Sequence, residues 1–187
     1  MAASGYLTNQ FLIAMPNLLD PNFFHSVTYI CEHNHLGAMG IIINQPVDMT
    51  LGDLMEQMDM PVNLPAVAAH PIYRGGPVDE EHGFVLHQPT GAWESTLPIG
   101  GDIAITTSND IIRALFDGQG PDHFLVALGY AGWGAGQLEQ ELLENAWLCG
   151  PADARVIFET PTEQRWEAAA ALLGINIHNV IGDAGHA

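Results

Sequence analysis

The sequence predicts a single α+β domain with a mixed, largely antiparallel sheet and about four helices. Three observations carry that expectation. Short apolar or alternating runs of strand length outnumber the helical stripes. Several neighbouring runs are joined by turns too short for the crossover that parallel strands need. The 187 residues are 48% apolar, enough for one compact core, with no internal repeat or linker. The domain is expected to span 1–182, with 183–187 as a loose tail.

The elements follow in order. Phe11 to Met15 reads as a buried strand stopped by Pro16. Asp20 and Pro21 place a cap and a proline at the start of a turn or helix. From Val27 to His33 the chain alternates, with Val27, Tyr29 and Cys31 on one face and Thr28, Ile30 and Glu32 on the other. Asn34 to Gly37 supplies a hairpin turn. Ala38 to Asn44 returns as a strand, and the triplet Ile41, Ile42 and Ile43 marks it as buried on both faces.

Thr50 to Asp53 has the form of a capping box, opening a short helix to about Met58. Residues 59–70 read as a proline-punctuated loop. Ile72 to Arg74 and Gly83 to His87 are short strands around Gly75, Gly76 and Pro77, and Asp102 to Thr106 is another. Ile111, Ile112, Leu115 and Phe116 form a helical stripe that Gly118 stops. Phe124 to Leu128 reads as a strand, followed by a loop with glycines at 129, 132, 134 and 136. A helix then carries Leu138, Leu142 and Ala146 on one side. Val156 to Phe158 reads as a strand. Thr160 to Glu163 combines a capping box with Pro161 at the first helical position, and the helix it opens ends at Gly174.

Charge excludes whole classes of function. The chain has no lysine, and Arg74, Arg113, Arg155 and Arg165 face 22 carboxylates, for a formal net charge of -18. Nucleic-acid affinity comes mainly from Lys and Arg displacing counterions from phosphates, so no direct nucleic-acid partner is expected. No run approaches the roughly 18 apolar residues of a membrane span. The first cation is Arg74, which leaves no charged start for a secretory signal. Two cysteines, Cys31 and Cys149, are too few for a disulfide framework. A cytoplasmic protein with free thiols is expected, with an unidentified protein or small-molecule partner and no cofactor.

Several segments together resemble the AlgH (YqgE-like) family of bacterial proteins. They are 12–16, 20–23, 29–33, 37–44, 75–78, 83–87, 128–139 and 145–147, in family order over nearly the whole chain. The resemblance implies one α+β domain whose sheet curls toward a pseudo-barrel. The name of one member points to regulation of exopolysaccharide transcription, and no enzymatic activity comes with the family. Two positions depart from its pattern: His25 and Gln45 stand where arginines are usual.

The candidate sites each have a plainer rival. Cys31 and His33, on one strand face, could form a thiol–imidazole pair for catalysis or redox sensing. With His35 they could hold Zn or Cu. The plainer reading is a buried, inert thiol. Arg74 beside Gly75 and Gly76 forms either a small anion nest or an ion pair with a nearby carboxylate. Gly132, Gly134 and Gly136 either permit tight backbone packing around Trp133 and Trp147 or present helix N-terminal amides to a small carboxylate. A P-loop is excluded, because it needs a lysine. Met49, Met55, Met58 and Met60 are either a thioether patch or the apolar side of a short helix.

Overall fold

The computed structural model describes residues 6–61 and 64–180; the tail expected at 183–187 lies outside the described residues. Ten strands form one sheet: β1 (Gln10–Ala14), β2 (Val27–Asn34), β3 (Gly37–Ile42), β4 (Pro46–Thr50), β5 (Pro71–Arg74), β6 (Val78–Gln88), β7 (Thr96–Gly100), β8 (Ile103–Thr106), β9 (His123–Gly134) and β10 (Trp147–Pro151). Among the described residues six short helices accompany them: α1 (Leu51–Gln57), α2 (Pro65–Ala68), α3 (Asp110–Phe116), α4 (Gln137–Leu143), α5 (Ala154–Phe158) and α6 (Arg165–Ala171). The strand order is β10-β1-β2-β3-β9-β6-β8-β7, with β5 also on β9 and β4 on β5. Among the described residues only the β5–β9 pairing is parallel, so the sheet is mixed and largely antiparallel, and it curls into a half-barrel.

Alternation along the strands sends side chains into layers on both faces. On the first face Phe11, Ile13, Val27, Tyr29 and Leu86 pack with Val156 and Ile157 of α5 and Trp166 of α6. On the second face α1 and α3 cover Ile72, Val85 and Val126, while α4 covers Leu12, Ile30 and Ala131. The Thr50 capping box is present: the Asp53 N–H donates to Thr50 Oγ1 at 3.2 Å, and the Thr50 N–H donates to Asp53 Oδ2 at 2.9 Å. Met55 is fully buried and Met49, Met58 and Met60 pack around it, the apolar side of a helix.

Four local expectations are corrected. Residues 156–158 form α5 instead of a strand, because the Asp153 side chain caps the Arg155 N–H and the one-turn helix buries Val156 and Ile157. The Thr160 box does not form; Thr160 Oγ1 donates to the Arg155 carbonyl, and a 3-10 turn at Thr162–Gln164 leads into α6. Within the loop expected at 59–70, Pro65 starts α2. The chain from Gly129 to Gly134 is not a loop, since β9 runs through it to pair with β3 and β6.

Candidate functional site

A one-residue bulge decides what β2 can present. Ile30 pairs with Gly40 and Glu32 with Met39, so Cys31 is an extra residue in the ladder. Such an insertion reverses which side chains face which side beyond it. Cys31 stays with Val27 and Tyr29 in the first-face core. His33 is on the second face, where its Nδ1 accepts the Leu7 N–H at 3.0 Å and its Nε2–H donates to Glu139 of α4 at 3.3 Å. The expectation that Cys31 and His33 share a face is therefore corrected: the sheet lies between them. Cys31 is buried, with Sγ 3.6 Å from the Tyr29 carbonyl. Burial, and secondarily the nearby Glu32 carboxylate, push its thiol far above the ordinary range. Among the described residues no three His, Cys, Asp or Glu side chains are placed to share a metal ion. Native protein should accordingly titrate only the exposed Cys149 with a thiol reagent near neutral pH, and Cys31 only after denaturation. Two rapidly reacting native thiols would contradict this burial.

Arg74 resolves in favour of an internal anchor. Its Nη2 donates to Asn22 Oδ1 at 2.8 Å and to Glu80 Oε1 at 3.1 Å, and its Nη1 to Gln45 Oε1 at 3.4 Å. Gln45 Nε2 in turn donates to the Asn22 carbonyl at 2.9 Å. The Gly75 N–H is taken by the Leu128 carbonyl at 2.8 Å, and Gly76 lies against the backbone of Tyr130 and Ala131. These groups fasten the 20–25 turn to β5 and β9, which leaves no open nest at Gly75 and Gly76. Gly132 and Gly134 belong to β9, and the Gly134 N–H donates to Gln137 Oε1 at 2.9 Å. Gly136 precedes α4 with φ +76°, the left-handed conformation glycine adopts freely.

The same bulge shapes one wall of an open cleft. It turns Glu32 away from Ile30 and toward Met39, opposite to the face that strict alternation assigns it. A cleft of about 530 Å³ opens there, lined by Glu32, Leu36, Met39, Val78, Tyr130 and Gly132 among others. A second cleft of about 460 Å³ adjoins it, because Glu32 and Met39 line that one too; its far wall is Glu94, Thr96, Leu97 and Thr107. Among the described residues no arginine, lysine or histidine lines either cleft. Glu32 is exposed and, among the described residues, its carboxylate makes no hydrogen bond or ion pair. Of the sequence candidates only Gly132 reaches this place. Apart from Asn34 and Leu36 its lining comes from four of the family-like segments, 29–33, 37–44, 75–78 and 128–139, so their convergence was the available signal.

Beneath the second cleft runs a buried polar chain. His87 Nδ1 faces the Pro89 carbonyl at 3.0 Å; a carbonyl only accepts, so Nδ1 carries the proton and Nε2 accepts from Thr106 Oγ1 at 2.7 Å. Thr106 Oγ1 also meets Thr96 Oγ1 at 2.8 Å. Burial lowers His87 below the ordinary imidazole value of 6.5, and lowers His25 and His70 in the same direction. Between the folded and unfolded values the unfolded chain binds more protons, so stability rises with pH across that window. These imidazoles contribute fully above about pH 6.5 and lose their contribution as pH falls below it. The urea midpoint should therefore be lower near pH 5.5 than near pH 7.5, and a higher one would refute the assignment of neutral imidazoles.

Residues 11–178 match the family model described as AlgH-like (DUF179). A UPF0301 protein of Thioalkalivibrio sulfidiphilus is 59% identical over 187 residues, covering 100% of each chain. A second, from Nitrosococcus oceani, is 54% identical with the same coverage. The solution structure of the AlgH protein from Pseudomonas aeruginosa matches with a TM-score of 0.79 at 47% identity, covering 95% of this chain and 93% of that one. A crystal structure from Corynebacterium diphtheriae shares the fold, with a TM-score of 0.71 at 17% identity over 89% and 86% of the two chains. From the first strand of the sheet to the turn after α6, this chain belongs to the AlgH-like family.

Proposed function

We propose that the chain is a cytoplasmic binding or regulatory protein whose partner sits in the clefts on either side of Glu32 and Met39, with any effect on transcription indirect. The observation that carries this reading is an unpaired carboxylate set among apolar side chains in an open cleft. A few convergent polar groups on an apolar wall are the usual make-up of a binding site. The cations favour an indirect effect. Arg74 and Arg155 are held by carboxylates, and buried Arg165 donates to the Thr160 and Ile43 carbonyls. Arg113 is the remaining exposed arginine, and one cation does not make, among the described residues, a basic face to follow a phosphate backbone.

The test is a screen of small apolar and polar fragments by amide shifts in ¹⁵N NMR. Shifts should cluster at Met39, Val78, Tyr130 and Gly132. Shifts spread evenly over the surface, or grouped around α1, would reject the cleft as the binding site.

A further inference from the structure

We infer that the paired clefts accept an extended segment of a partner protein that carries a basic side chain between apolar ones; the inference rests on the binding reading above. Glu32 stands where the two clefts meet, and Glu94 adds a second carboxylate to the far wall. With no cation in either lining and a net charge of -18, the site attracts a positive group and repels acidic ones. Apolar side chains flank that carboxylate on both sides. Leu36, 73% exposed, lines the first cleft and Leu97, 47% exposed, lines the second. Exposed leucines around a charged centre suit an occupant that is long enough to cover both and is cationic in between. Alternate residues of an extended chain lie roughly 7 Å apart, which lets one segment address successive pockets with side chains on one face. Recognition runs through side chains and not through addition of a strand to β7, because Pro98 interrupts the donors of that edge.

The probe is a capped peptide, Leu-Ala-Arg-Ala-Leu, compared with Leu-Ala-Gln-Ala-Leu and with spermidine, each titrated by ¹⁵N NMR. The arginine peptide should shift the amides of Met39 and Gly132 together with those of Leu97 and Thr107. Charge reversal by Glu32→Arg should weaken it by about tenfold or more, and Glu32→Gln by about threefold, as expected for a partly exposed pair. Glu32 is a surface residue, so unchanged spectral dispersion in both variants confirms that they fold. Unaltered affinity in Glu32→Arg would overturn the inference, as would shifts confined to one cleft or an equal response to spermidine. If the glutamine peptide occupies the clefts as well as the arginine peptide, they are a binding site but not one for a basic segment. If no peptide or fragment shifts them, the binding reading fails as well.

Discussion

Gly76→Ala should leave little folded protein. A Cβ at position 76 would run into the Tyr130 carbonyl and the Ala131 nitrogen, which are backbone atoms of β9. A flexible side chain could swing aside, but this strand is held on β3, β5 and β6 at once. Overpacking ordinarily destabilises by about 1–3 kcal/mol, and a clash with a fixed backbone belongs at or above the top of that range. Against a total stability of roughly 5–15 kcal/mol, such a loss would be visible as a collapse in soluble yield and urea midpoint. Gly83→Ala is the matched control, since a Cβ there meets nothing within 4 Å. Its midpoint should stay within about 0.5 kcal/mol of the parent. Equal midpoints for the two variants would show that β5 and β9 do not need this close approach.

Glu141→Ala should give the second large effect. The indole N–H groups of Trp133 and Trp147 both donate to Glu141 Oε1, each at 2.9 Å, and Gln137 Nε2 donates to Oε2 at 3.0 Å. Both indoles are buried, and Phe23 packs against each ring, with centroids 5.9 and 5.3 Å away. Removing the carboxylate leaves two buried donors without an acceptor, at about 1–3 kcal/mol each. The expected loss is therefore about 2–6 kcal/mol in denaturant unfolding, with a red shift of tryptophan emission. Glu141→Gln keeps an accepting oxygen and should lose about half as much or less. A loss below about 1 kcal/mol for the alanine variant would mean the indoles find water or another acceptor.

Much of the fold was legible because its signals are local. The apolar run at Phe11, the isoleucine triplet and the stripe at Ile111 all mark buried surfaces, and they form β1, β3 and α3. β7 and β10 left no such mark. Both are border strands of the sheet, half wet, with Pro98 and Pro151 in their sequences, and a border strand needs no apolar pattern. Val156 to Phe158 misled because three apolar residues bury equally well as one helical turn. The site was less legible than the fold. Unbroken alternation from Val27 to His33 hides the bulge, because only the register against β3 reveals which residue is extra. Arg74 drew notice as rare chemistry, and its guanidinium fastens the turn at Asn22.

The extra residue at Cys31 works like a shift of reading frame within a single strand. Upstream of it, odd-numbered positions answer to the interior of the molecule. Downstream, the same parity faces α4, and the even position meets whatever enters from solvent. Loss of Cys31 would close the frame again with Glu32 still opposite Met39, so the acidic group would keep its side; it is one-to-one pairing of every residue here that would carry it to the helix and close the site to a cationic visitor.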